Sequence, residues 1–121
     1  MFNGIIKNIG IVKKIVKNKK DCILEINSKM KISKKEIGDS ISCSGTCLTV
    51  EKFNKNSICF YLSQETLQRT IFKNSKKGDA INLEKPLKIG ARISGHFVQG
   101  HVDTVGIVKK INIVGKSWMI D

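Results

Sequence analysis

The stretch Gly95–Gly106, GHFVQGHVDTVG, decides how the chain is divided, because at this seam a pattern from the N-terminus starts again. Gly100 answers Gly4 and Gly106 answers Gly10, both at an offset of 96 residues. The hexapeptide Gly10–Ile15, GIVKKI, recurs letter for letter at Gly106–Ile111. Around it Ile6 is matched by Val102, Ile9 by Val105, Lys20 by Lys116, Leu24 by Ile120 and Glu25 by Asp121, without a gap. A chain rich in Ile and Lys repeats short words by chance, but two glycines in register with ungapped flanks point to duplication. The sequence therefore reads as one domain, residues 1–96, followed by the opening of a second copy, residues 97–121.

A unit of 96 residues lies within the ordinary domain range, whereas the 25 that follow are too few to bury a core of their own. Trp118-Met119-Ile120-Asp121 stops inside an apolar run with no closing turn, and the expectation is a second copy cut short. The net charge of +12 raises the question of an anionic partner. Only Arg69 and Arg92 are arginines among 22 basic residues, and the lysines are spread along the whole chain. Lysine lacks the planar fork that reads guanine or phosphate bidentately, so the charge describes a solvated surface, and no specific nucleic-acid partner is expected. Cys22, Cys43, Cys47 and Cys59 form no Cys-x-x-Cys pair, and His96 and His101 lie far from any suitable cysteine pair, so neither a disulfide frame nor a metal site is expected. Met1-Phe2-Asn3-Gly4 leads straight into strand-forming sequence with no signal-type apolar core, and no run reaches transmembrane length. A reduced, cytoplasmic protein that does not engage a membrane is the expectation.

Ile5–Val16 is β-branched and short of helix formers, which predicts a strand bent or bulged at Gly10. Asn18–Asp21 turns it into Cys22–Ile26, and Met30–Glu36 reads either as an irregular link or as one helical turn. Ser40–Cys43 and Cys47–Phe53 flank the tight turn Ser44-Gly45-Thr46, and Ser57–Leu62 places Ile58, Phe60 and Leu62 on one face with Cys59 and Tyr61 on the other. Ser63 at an N-cap, Glu65 in the first turn, and Leu67 and Ile71 at helical spacing predict a short helix over Ser63–Ile71. Ala80–Glu84 is the last strand before Pro86. Six short strands and one helix suit an all-β fold, a closed six-stranded antiparallel Greek-key barrel, since closure removes the edges such strands would expose. The repeated segment would begin a second barrel.

Four segments carry chemistry. Met1–Gly4 brings a glycine close to the chain start. Ser44–Thr49 sets a thiol and two hydroxyls after a glycine turn, where a ligand can approach main chain. Ser63–Thr70 offers N–H groups at a helix start to carbonyl or anionic oxygens. Gly100-His101-Val102-Asp103 places at the seam an imidazole, a side chain suited to proton exchange. Each has an ordinary structural reading when taken alone: a frayed terminus, a buried cysteine, a plain cap, a surface histidine.

Taken together, MFNGIIKNIG, SGTCLTV, ETLQRT and SGHFVQGHVD, in that order, resemble the riboflavin synthases, whose chain carries two similar barrels. The resemblance spans essentially the whole chain. Asn3 stands where that family usually has threonine, and Ser44 where it has asparagine. What the resemblance implies is a cofactor-free transferase reaction. Two molecules of 6,7-dimethyl-8-ribityllumazine exchange a four-carbon unit, giving riboflavin and 5-amino-6-ribitylaminouracil. The site would form where the first barrel of one subunit meets the second barrel of its neighbour in a trimer, and a first barrel alone could pair with its own copy.

Carried over by position, the resemblance implies a pocket lined by Gly4, Ile5 and Ile6, by Cys47, Leu48 and Thr49, and by Tyr61, Leu62, Ser63, Gln64, Glu65 and Thr66, with Gly100, His101 and Val102 at the seam. His101 would transfer or orient a proton, and Cys47 would be the nucleophile or a polar contact at lumazine C7. Two other classes compete. One is a non-catalytic lumazine- or flavin-binding antenna protein of the same architecture. The other is a basic nucleic-acid-binding barrel, which the aromatic content of 6% leaves poorly equipped for base stacking.

Overall fold

A computed structural model describes residues 1–121. The strands are β1 (Asn8–Lys17), β2 (Asp21–Asn27), β3 (Ser40–Cys43), β4 (Thr46–Phe53), β5 (Ser57–Ser63), β6 (Ala80–Glu84), β7 (Ile111–Val114) and β8 (Ser117–Ile120), with one helix, α1 (Gln64–Arg69), between β5 and β6. The first six close an antiparallel barrel in the order β1-β2-β5-β4-β3-β6, as the sequence predicts. Alternation drives it: Cys22, Leu24 and Ile26 of β2, Ile58, Phe60 and Leu62 of β5, and Ile81 and Leu83 of β6 all turn inward and are buried. Leu67 from α1 and Phe72 from the 3₁₀ turn that follows it join the same core cluster.

β1 is shared by two neighbours. Asn8–Ile11 pairs with β6, and Ile11–Lys17 pairs with β2, so this one strand seals the ring. The irregularity expected at Gly10 lies instead between Val12 and Lys14. Gly10 serves packing: a Cβ there would sit 2.3 Å from Ile26 Cγ2 and 2.9 Å from Leu83 Cδ1. The β3–β4 connection is a two-residue turn at Ser44 and Gly45, with φ of 46° and 85°. Two left-handed residues are what a tight hairpin on twisted strands requires. Thr46, expected in the turn, already pairs with Cys43. Ser44 tolerates its backbone with support from β6, donating its N–H to Asn82 O at 2.7 Å and accepting the Asn82 N–H at Oγ at 3.2 Å.

The helix is shorter than its spacing suggests. Ser63 Oγ caps it by accepting the Thr66 N–H at 3.1 Å, but Thr70 turns extended (φ −127°, ψ 169°) and restarts the chain as a 3₁₀ turn over Ile71–Lys73. The ambiguous Met30–Glu36 segment contains a second 3₁₀ turn, Lys34–Glu36, tied by the Ser33 N–H and Oγ donating to the Glu36 carboxylate at 2.8 and 2.9 Å.

Beyond β6 the chain runs over the outside of the barrel. Phe2, 1% exposed, and Val98 exchange two backbone bonds of 2.8 and 3.0 Å. β7 and β8 then form a separate hairpin in which Ile111 pairs with Ile120, Asn112 with Met119 and Ile113 with Trp118. The positions offset from these by one repeat, Ile15 and Leu24, Val16 and Ile23, and Lys17 and Cys22, are partners in the β1–β2 ladder.

Candidate functional site

Three of the four segments singled out in the sequence meet at one end of the barrel. Thr46 and Cys47 from β4, Glu65, Thr66, Arg69 and Thr70 from the helix, and Gly100, His101, Val102 and Asp103 from the seam enclose a cleft of about 350 Å³. The seam is locked to the cysteine strand by the Cys47 N–H donating to Gly100 O at 2.8 Å. Contact there is tight enough to require glycine, since a Cβ on Gly100 would lie 2.9 Å from Cys47 N at a φ of +81°. A larger cleft of about 580 Å³ is walled by lysines 13, 14, 17, 76 and 77 and contains none of the residues singled out in the sequence.

A second feature adjoins the cleft. β4 and β5 are paired only at Val50–Phe53 and Ile58–Phe60. Nearer the cleft, Thr46–Thr49 keeps to β3 while Tyr61–Ser63 keeps to β2, so the ladder between them is open. Cys47 points its N–H away from β3 to reach Gly100. By the alternation of a strand, Thr49 points its N–H the same way. Unpaired main-chain N–H groups on a half-exposed edge can hold the carbonyl edge of a flat heterocycle.

The sequence-derived residues divide around this geometry. Cys47, Glu65, Thr66, Gly100, His101 and Val102 wall the cleft. Thr49, Tyr61 and Ser63 are exposed along the open ladder. Gln64 is half-buried, with its amide donating to Asn18 O at 2.8 Å. Leu48 and Leu62, expected to line a pocket, turn their side chains into the core with 4% and 1% exposure, which leaves only main chain for any contact there. Gly4, Ile5 and Ile6 lie on the N-terminal arm outside the cleft; Ile5 is half-buried and Gly4 and Ile6 are exposed.

The pocket residues carried over by position omit Thr46, Arg69, Thr70 and Asp103, although SGTCLTV, ETLQRT and SGHFVQGHVD contain all four. Arg69 sits between carboxylates, 3.2 Å from Glu65 and 4.0 Å from Asp103.

Of the four cysteines only Cys47 is not buried. Burial pushes the thiols of Cys22, Cys43 and Cys59 above their ordinary value, and for Cys43 the neighbouring Cys47 adds to the rise. No group of three metal-ligating side chains is assembled. No helix is long and apolar enough to cross a membrane.

A six-stranded closed antiparallel barrel with a polar cleft at one end defines the class, a small all-β barrel. The family profile described as the lumazine binding domain matches residues 3–86, and the chain belongs to that family. It is 40% identical over 118 residues to the riboflavin synthase of Photobacterium leiognathi, covering 97% of this chain and 54% of that protein. To the riboflavin synthase of Schizosaccharomyces pombe it is 39% identical, covering 91% and 54%. The chain thus spans about half the length of these relatives. Among solved structures it resembles LumP complexed with 6,7-dimethyl-8-(1'-D-ribityl) lumazine, with a TM-score of 0.78 at 25% identity over 99% of this chain and 67% of that one. LumP complexed with flavin mononucleotide gives 0.75 at 27%, covering 93% and 63%.

Proposed function

We propose that this chain is the first lumazine-holding barrel of a riboflavin synthase, in which two molecules of 6,7-dimethyl-8-ribityllumazine pass a four-carbon unit from one to the other. The observation that carries the reading is the meeting of Cys47, the seam glycine and the helix start at a cleft that opens onto the unzipped β4–β5 ladder. The lumazine ring lies along that ladder, its carbonyl edge against the Thr49, Gln64 and Glu65 N–H groups, since the Thr66 N–H is taken by Ser63.

The C7 methyl of the lumazine is acidic because its carbanion delocalises into an electron-poor ring, so the protein has mainly to exchange one proton and hold two rings face to face. His101, exposed at the cleft mouth, takes the proton-exchange role. Cys47 supplies the nucleophile or polar contact at C7. Residues 97–121 open a second barrel, a reading supported by the matched register of the β7–β8 and β1–β2 hairpins. The second reacting ring then comes from a second barrel on a neighbouring subunit, in a trimer for a two-barrel chain, in the cytoplasm.

Fluorescence titration of the chain with 6,7-dimethyl-8-ribityllumazine and with riboflavin should give saturable binding of one molecule per barrel, and Thr66→Ala and Gly100→Ala should weaken it. Riboflavin formation by the 121-residue chain should be slow. Rapid turnover would overturn the need for a second barrel. The likeness to LumP supports a second reading, a barrel that holds lumazine or flavin without reacting it. The gene carrying both barrels separates the two: binding with no riboflavin formed selects the second.

A further inference from the structure

Glu84, the last residue of β6, is buried, 6% exposed, and does not line the cleft. Its two oxygens accept main-chain N–H groups from the N-terminal arm, Oε1 from Asn3 at 2.7 Å and Oε2 from Gly4 at 3.1 Å. The arm also bonds the seam. Phe2 and Val98 exchange both backbone bonds, and the His96 N–H donates to Asn3 O at 3.2 Å. Gly95 lies so close beneath that a Cβ would sit 2.2 Å from Asn3 O. Two residues beyond Val98, Gly100 O accepts the Cys47 N–H.

A continuous path thus leads from the carboxylate through Asn3 and Gly4 to Val98 and on to Gly100 and Cys47. Along this part of the seam His96, Phe97, Val98 and Gln99 are exposed. Charge-assisted bonds to a carboxylate are the strongest in the arm, and losing one leaves a part-buried N–H without a partner.

We propose that Glu84 is a positioning residue for the cleft: acting through Met1–Gly4, it holds Gly100, His101 and Val102 against Cys47. The inference concerns the same cleft as the lumazine reading and rests on it only for the ligand.

The test compares Glu84→Ala and Glu84→Gln with the parent chain by amide hydrogen exchange and riboflavin titration. Glu84→Ala removes both bonds and should speed exchange at Val98 and Cys47 by at least about tenfold, the lower bound set by a single charge-assisted bond, and lower riboflavin affinity by a similar factor. Leu24 and Phe60 amides in the β2–β5 ladder should stay protected. Glu84→Gln keeps the shape and one acceptor, so it should recover part of both effects, and it carries the test if Glu84→Ala does not fold. Unchanged exchange at Val98 and Cys47 in the folded variants overturns the proposal. So does a uniform rise that includes Leu24 and Phe60, which would make Glu84 a stabiliser of the barrel at large. If the parent binds no riboflavin, the ligand reading fails while the exchange pattern still decides the role of Glu84.

Discussion

At the scale of single residues, the four cysteines differ sharply although they are chemically alike. A thiolate reacts and a buried thiol does not, so native chain treated with a thiol reagent at neutral pH should label rapidly at Cys47 alone. Peptide mass analysis checks it, and bound lumazine should slow the labelling. Equal labelling at Cys43 would contradict the burial that raises its pKa. Cys47 was legible in the sequence because it follows a glycine turn, and His101 because it follows a glycine at the seam. The inward direction of Leu48 and Leu62 was less accessible, since a motif names positions without saying whether side chain or main chain meets the ligand. Glu84 gave no signal at all. Its partner Asn3 lies 81 residues away, and a glutamate ending a strand before a proline reads as solvent-facing.

At the scale of elements, the period-2 pattern of β2, β5 and β6 carried the fold, and boundaries shifted by only a few residues because each run ends in polar turn chemistry. Two details depended on tertiary contact. The bulge in β1 moved from Gly10 to the lysines beyond Val12, since what Gly10 answers is the side chains of Ile26 and Leu83 across the barrel. Gly10→Ala should therefore destabilise the barrel by about 1–3 kcal/mol through overpacking, measured as a lower urea midpoint, with no change in cleft residues. A neutral result would mean that β1 can slide outward without cost. The open stretch between β4 and β5 was likewise invisible, because both strands carry good strand sequence there and only register shows that they part.

At the scale of the whole molecule, acid should loosen the barrel in a defined window. The Lys85 ammonium, then the Ser33 N–H, hold the Glu36 carboxyl at about 2, below its ordinary 4.5, and Lys13 and Ser57 lower Glu25 in the same direction. A carboxyl depressed in the folded state contributes stability above about 4.5 that is lost as the pH falls toward 2. Unfolding midpoints should drop across that interval, and Lys85→Met should flatten the drop; the same slope in the variant would remove the pair from the account. The ring imposes a further condition of a kinetic kind. Asn8 on β1 meets Leu83 on β6, so the loop of chain between them must be made and gathered before the last ladder can zip. Contacts so distant along the chain fold slowly. A nascent polypeptide on the ribosome has no finished barrel until Glu84 emerges, and the residue that completes the circle is the one that ropes in the amino terminus.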